Sequence, residues 1–244
     1  EYQLEADLYR EFRYRNAGWA YPAIVAGGSN ACTLHYVRNS EVLKSGDLVL
    51  VDAGAEYNYY AADITRCYPV SGAFSTTQKA IYEVVLSAQL AGIEAIGNNA
   101  ATNISVHQKV VEVLTAGLIQ LGVLQGLISE NIEQRKYFKY FMHSTGHFLG
   151  LGVHDIGGMR DENNKPIAIK LEPGMVMTVE PGLYFDPEDF SIPEEFRGIG
   201  IRIEDDVLRT AEGVEVLTAG LAKTVEEVET LIKLTKDLLL LARV

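Results

Sequence analysis

Five side chains of metal-ligating type, Asp52, Asp63, His147, Glu180 and Glu204, each fall in a short apolar, strand-like segment of this chain. Four carboxylates and one imidazole gathered in one place would hold two hard divalent cations and little else. Oxygen donors favour Mg, Ca or Mn, and an imidazole moves the preference toward the transition metals. Two such metals about 3.5–4 Å apart form a device for hydrolysis. Everything then depends on whether the chain brings the five together.

The first two lie in Asp47-Leu-Val-Leu-Val-Asp52-Ala-Gly and Tyr59-Tyr-Ala-Ala-Asp63-Ile-Thr-Arg, separated by a very short connection. A turn centred on Tyr57-Asn58 predicts a hairpin with Asp52 directly opposite Asp63, their Cβ atoms about 4.5–5.5 Å apart. Like charges so placed on a half-buried sheet repel unless a proton or a cation lies between them. Two unrelated edge aspartates are the alternative, and on this pair alone the readings stand level. Glu180 ends the apolar run Met175-Val-Met-Thr-Val, just before Pro181-Gly182. A charge at the buried end of a strand needs a partner or a metal. In Gly198-Ile-Gly-Ile-Arg-Ile-Glu204, alternation puts Ile199, Ile201 and Ile203 on one face and Gly200, Arg202 and Glu204 on the other. Arg202 is placed to orient a ligating carboxylate from behind; a solvent-facing ion pair is the plainer alternative.

Phe141-Met-His143-Ser-Thr-Gly-His147-Phe-Leu-Gly-Leu-Gly-Val-His154-Asp155 holds three of the five histidines in twelve residues. His143 and His147 have the i, i+4 spacing of a zinc-peptidase helix, but Ser144 stands where that motif needs Glu. Gly146, Gly150 and Gly152 disfavour a helix, so the segment is expected to run extended or looped, allowing close backbone approach to a ligand. A lone histidine in an apolar run is more often a satisfied core residue, whereas three in a glycine-rich stretch point to function. His107 falls on the polar side of a helix and reads as structural. His35, in Asn30-Ala-Cys-Thr-Leu-His35-Tyr36, reads on its own as a buried histidine bonded to backbone.

Several elements must position these groups. Leu4, Leu8 and Phe12 predict an amphipathic helix over Glu1–Asn16. Ser75 with Gln78 forms a capping box ahead of Ile81, Val84, Val85 and Ala88. Ile104, Val110, Val111, Leu114 and Leu118 stripe a second long helix, with Gly122 near its end. Thr224 with Glu227 opens the last one. Strand-like runs at Leu48–Ala55, Tyr59–Val70, Met175–Glu180 and Gly198–Thr210 lie between these helices. Gly182–Phe196, rich in Pro, Asp and Glu, reads as a surface loop. Hairpins alternating with helix pairs predict an α+β fold, helices covering one face of a mostly antiparallel sheet. One carboxylate pair per hairpin hints at duplicated halves. No linker divides residues 1–244, so a single domain is expected.

Hydrophobic residues make up 48% and charged residues 22% of the 244, ordinary for a globular chain. No stretch approaches the roughly 20 consecutive apolar residues of a membrane span, and Leu238–Leu241 is far too short. The formal net charge of −12 argues against a nucleic-acid partner, which wants a basic face. Such a surface serves solubility, and two bound divalent cations would offset part of it. Cys32 and Cys67, without a CxxC, predict reduced thiols in a cytoplasmic protein rather than a disulfide framework or a structural zinc. The start at Glu1-Tyr2-Gln3, with no Met or signal peptide, reads as that of a fragment or a processed chain.

Together, Val51-Asp52-Ala-Gly54, Ala62-Asp63-Ile-Thr-Arg66, His143 through Asp155, Thr178-Val-Glu180-Pro-Gly182 and Gly200-Ile-Arg202-Ile-Glu204 resemble the pita-bread dinuclear metallopeptidases. Within that family the likeness is closest to the aminopeptidase P branch, with prolidase next. It runs from near Glu1 to about Lys233, and Leu238–Val244 lies past it. The resemblance implies a pita-bread fold, a curved sheet covered by helices in pseudo-twofold halves. Asp63 and Glu204 would bridge two divalent metals, Asp52 completing one shell and His147 with Glu180 the other. Mn is the implied metal, with Co or Zn able to substitute. His35, His143 and His154 match histidines that line the substrate site, and Arg202 an arginine behind the metal ligands. The implied activity is removal of the first residue from peptides with proline second. Glu180 is also a candidate proton shuttle, and His154 a candidate for polarising the carbonyl. Prolidase action on dipeptides, or a silent binding module on the same fold, are the alternatives. Family members carry a separate N-terminal domain and further helix ahead of the point where this chain begins. The full-length protein is expected to be a dimer or tetramer.

Overall fold

Where caps and apolar spacing agree in the sequence, helices form as expected. The computed structural model describes residues 1–157, 161–163 and 165–241. Helix α1 spans Tyr2–Tyr14 and docks through Tyr9 and Phe12 on Trp19. Helix α2 (Thr76–Ile96) opens on the Ser75–Gln78 box, with both reciprocal hydrogen bonds present. Helix α3 (Asn103–Gln120) carries the predicted stripe and ends ahead of Gly122, whose φ is 75°. Its capping box, Thr102 with Ser105, escapes a search for Glu or Gln at the third position. A short α4 covers Ile128–Glu133. Helix α5 (Val225–Leu241) starts on Thr224 and Glu227, which cap each other's backbone N–H groups. The end of the Leu238–Val244 run lies outside the described residues. No described helix is long and apolar enough to cross a membrane.

The strands are β1 (Gly18–Trp19), β2 (Ile24–Gly27), β3 (Leu48–Asp52), β4 (Ala55–Tyr57), β5 (Tyr60–Ala61), β6 (Thr65–Pro69), β7 (Val176–Val179), β8 (Gly182–Tyr184), β9 (Gly200–Arg202), β10 (Asp205–Arg209) and β11 (Val214–Val216). They form ladders in the orders β1-β4-β5, β2-β3-β6, β11-β10-β7 and β8-β9. Each pairing among them is antiparallel. Helices α2 and α3 bury Ile81, Val85, Val110, Leu114 and Leu118 against Leu50, Cys67, Leu183 and Ile201 of the strands and Ile203 just after β9. Each such aliphatic contributes about 1.5–3 kcal/mol when fully buried. That layer locks in place the strands on which the acidic residues ride.

The first hairpin departs from its expected register. Asp52 lies opposite Thr65, not Asp63, and Leu50 opposite Cys67. Asn58 and Tyr59, with φ of 51° and 67°, are the central pair of the turn, the left-handed conformations of a tight hairpin connection. Moving the turn centre by one residue shifts every partner by two. Strand parity survives, so both aspartates keep a common face. Through the bend, Ala53 N–H donates to Ile64 O and Ala62 N–H to Ala55 O, which sets Gly54 against Asp63. A Cβ on Gly54 would lie 1.7 Å from the Ala62 carbonyl oxygen, so only glycine fits there.

The second hairpin is longer than expected and swallows part of the predicted surface loop. Gly182–Tyr184 form β8, and Leu183, Tyr184 and Phe185 are buried. The acidic, proline-containing residues that follow masked three apolar side chains. Gly182 pairs with Arg202 and Val179 with Asp205, one register through the bend, which sets Glu180 opposite Glu204. The two hairpins meet along β6 and β9, where Glu204 N–H donates to Thr65 O at 3.1 Å.

Candidate metal centre

Strand ends deliver four of the five predicted ligands to one place. Asp52 closes β3, Asp63 precedes β6, and Glu180 and Glu204 stand at the bend of the second hairpin. Asp52, Asp63 and Glu204 are buried. The histidine segment contributes the fifth, running extended beside β7 as its glycines predict. Thr178 N–H donates to His147 O (2.9 Å), Leu149 N–H to Val176 O (3.1 Å) and Glu180 N–H to Thr145 O (2.7 Å). This closeness depends on Gly146, where a Cβ would lie 1.9 Å from the Thr178 carbonyl oxygen.

The side chains converge. His147 Nδ1 bonds the Phe148 carbonyl at 3.1 Å, which makes that nitrogen the protonated one and turns Nε2 to the acidic groups. Nε2 lies 3.3 Å from Asp63 Oδ2 and 3.6 Å from Glu180 Oε1. Donor atoms of Asp63, His147 and Glu204 all fall within 4.8 Å of one another, the pattern of a metal-holding group among the described residues. The other oxygen of Asp63, Oδ1, shares the Tyr21 hydroxyl with Asp52 Oδ1, at 2.6 and 2.5 Å. Asp63 thus reaches toward His147 with one oxygen and toward Asp52 with the other. Such a posture suits a bridging ligand.

Electrostatics points the same way. The Glu204 carboxyl is held well above its ordinary range by burial and by the charges of Asp63, Glu180 and Asp52. Burial also pushes Glu180 up to about 7, against the pull of His147 and Arg202. Asp52 is raised by burial, which outweighs the nearby Arg202 guanidinium. Burial opposes charge on His147, yet the bond to Asp63 and the charge of Glu180 win and push the ring up to about 9. One tyrosine proton cannot serve two carboxylate oxygens, and one arginine cannot neutralise four acids. Two divalent cations would settle both deficits with the oxygen-rich, single-imidazole donor set present, so the residues fit the metals they were expected to hold.

Arg202 takes the part expected of it, orienting a candidate ligating carboxylate from behind, and the carboxylate is that of Asp52. Its guanidinium donates to Asp52 Oδ2 (2.5 Å), to the Tyr184 hydroxyl (2.9 Å) and to Thr65 Oγ1 (3.1 Å). Because β9 lies beside β3 and β6, the long side chain crosses to the neighbouring hairpin, and Thr65 alone passes the contact on, donating to Glu204 Oε2 at 2.5 Å. His143 Nδ1 donates to the Ser144 carbonyl (2.8 Å) and Nε2 accepts from Tyr184 (2.9 Å), while burial and Arg202 push the ring down to about 3. His154 stacks edge-on against His147 with ring centroids 4.3 Å apart. His35, read on its own as buried, is instead exposed into the cavity that the site opens on. That cavity, about 450 Å³, is lined by all five candidate ligands together with His35, His143, His154 and Arg202. His107 bonds Thr145 Oγ1 at 2.9 Å and props the histidine segment, the structural part expected of it. Tyr21, Thr65 and Tyr184 were missed. Tyr184 stood four residues after Glu180 on the same strand parity, which was a usable signal; Tyr21 offered none.

The profile of metallopeptidase family M24 matches residues 1–211 of this sequence. The chain belongs to that family. An Xaa-Pro aminopeptidase of Haemophilus influenzae is 46% identical over 234 residues, covering 95% of this chain and 53% of that protein. Another, from Escherichia coli, is 44% identical over 232 residues, covering 95% of this chain and 51% of its own. Among solved M24-like structures, aminopeptidase PepP of Pseudomonas aeruginosa superposes with a TM-score of 0.91 at 48% identity, covering 97% of this chain and 53% of that one. The chain spans about half the length of the relatives it matches. The fold is therefore the α+β pita-bread architecture expected of the family.

Proposed function

We propose that this M24 chain is the catalytic part of a metal-dependent exopeptidase that removes the first residue from peptides with proline second. The observation that carries the proposal is the convergence of Asp52, Asp63, His147, Glu180 and Glu204 on one cavity floor, with Arg202 as the single guanidinium lining it among the described residues. The substrate class is supported by the similar proteins of Haemophilus influenzae and Escherichia coli, both Xaa-Pro aminopeptidases.

Asp63 and Glu204 would hold two divalent cations between them, Asp52 serving one and His147 with Glu180 the other. When bound, such a pair lowers the pKa of water toward 7 and polarises a carbonyl. The chain's own residues supply the rest. Arg202 and Tyr21 fix the two oxygens of Asp52. A peptide nitrogen belonging to proline has no N–H and must gain a proton to leave, and the Glu180 carboxyl is placed to deliver it. His154, whose ring meets His147, is the proposed donor to the substrate carbonyl. His35 and the His143 ring shape the walls. Mn²⁺ is the proposed metal, with Co²⁺ or Zn²⁺ as substitutes; a solved Escherichia coli aminopeptidase P is zinc-substituted and bound to product. Free Cys32 and Cys67 support a reducing, cytoplasmic setting, and a homo-oligomer is proposed for the full-length protein.

Cleavage of Arg-Pro-Pro tests the reading, because release of arginine requires an aminopeptidase. Hydrolysis of Xaa-Pro dipeptides alone would make the protein a prolidase. Asp63→Asn is expected to abolish turnover and binding of the second metal; full activity with one metal per chain would overturn the assignment.

A further inference from the structure

Between β2 and β3 the chain forms a single 3-10 turn, Gly28–Cys32, and then holds no helix or strand until Leu48. Three residues of this loop, Leu34, His35 and Val37, wall the cavity above the acidic cluster. Something other than a ladder must set their height. The Glu1 side chain answers that need. Glu1 is 6% exposed, unusual for a glutamate at the foot of a surface helix. Its Oε1 accepts from Gly27 N–H (2.8 Å) and Asn30 Nδ2 (2.9 Å). Its Oε2 accepts from the Tyr36 hydroxyl (2.9 Å) and Glu41 N–H (2.7 Å). The main-chain nitrogen of Glu1 donates to Glu41 O at 3.1 Å, closing the ring.

One carboxylate thus ties the start of the loop to Tyr36 and Glu41, on either side of His35. Asn39 adds a second anchor, accepting from Val25 N–H and donating to Ala23 O, both at 2.9 Å. Asn39, however, secures only the far arm, whereas Glu1 holds Tyr36, the residue next to His35. We infer that Glu1 is a positioning residue for the peptidase site, acting on substrate through the placement of His35. The inference rests on the function proposed above and deepens it.

Glu1→Gln is the diagnostic change. It keeps size and the bonds to Oε1, but puts an amide donor against the Glu41 N–H and the Tyr36 hydroxyl. Tyr36→Phe removes the hydroxyl that donates to Glu1 and leaves the ring packed against the core. In the full-length protein with Mn²⁺, E1Q is expected to lower kcat/KM for Arg-Pro-Pro about tenfold and Y36F about threefold, with metal content unchanged. In a His35→Ala background both effects should shrink below about twofold, because a residue acting through another has nothing left to position. Hydrogen exchange, read without substrate, should speed up over residues 28–41 in E1Q and remain unchanged in H35A. Losses that persist in full without His35, loss of metal in E1Q, or unchanged loop exchange would each overturn the inference. A wild-type protein that cleaves no Xaa-Pro peptide, with the loop exchange as expected, would remove the functional reading while leaving the clamp in place.

Discussion

Glu204→Gln separates the two things a buried acidic cluster can be, a liability of the fold or a socket for cations. Glu204 is 1% exposed, and the described hydrogen bond of its carboxylate is the one accepted by Oε2 from Thr65. Glutamine retains that oxygen and removes one charge from a group that already repels itself, so the metal-free protein is expected to melt at the wild-type temperature or slightly above. The loaded state behaves oppositely. A ligand that binds only the folded state at a hundred times its Kd stabilises by about 2.7 kcal/mol. At about 2–4 °C per kcal/mol for a chain of this size, that raises the wild-type Tm by roughly 5–11 °C. E204Q, deprived of one oxygen of a bridging ligand, should show almost none of this rise at the same Mn²⁺ concentration. Differential scanning calorimetry with and without chelator reads both arms. A wild-type protein indifferent to Mn²⁺, or an E204Q protein that gains the full shift, would refute the socket argument.

Three further outcomes follow from specific contacts. Arg202→Lys keeps the charge but cannot reach Asp52, Tyr184 and Thr65 together, so activity or metal affinity should fall about 10–100-fold, as when such a supporting residue is lost elsewhere. Gly146→Ala forces a methyl into the Thr178 carbonyl and should cost more than about 3 kcal/mol in denaturant unfolding, with loss of metal from the displaced His147. Asp205 is fully buried and bound by Arg66 (2.7 Å) and Lys223 (2.7 Å), so Asp205→Asn should cost about 3 kcal/mol at pH 7. Burial alone would raise that carboxyl, but Arg66, Lys223 and Thr218 hold it below its ordinary value. The stabilisation it gives is therefore complete above about pH 3.9 and drains away as pH falls below that, and D205N should flatten this acid limb of a stability–pH curve.

Much of the site was legible because its signals are local. A carboxylate ending an apolar run two residues before a glycine, as at Asp52 and Glu180, marks a charge at a buried strand end whatever the fold. Helix starts were legible for the same reason, since Ser75 and Gln78 bond each other within one turn. Register was not. Without Asn-Gly, the turn could centre on either side of Asn58, and the choice moved Asp52 from Asp63 to Thr65. Nor could the sequence reveal contacts between distant segments. Tyr21 meets Asp63 across 42 residues, and Arg202 meets Asp52 across 150. The Gly182–Phe196 stretch misled because composition was averaged over it, when Leu183, Tyr184 and Phe185 alone decide that β8 is buried.

The central claim is that cations, not protons, hold the four carboxylates together in the working protein. Metal content measured on the same full-length sample that is assayed with Arg-Pro-Pro tests it most directly. Activity should climb with bound Mn²⁺ and level off at two per chain, and vanish after chelation. Undiminished release of arginine from metal-stripped protein would contradict it.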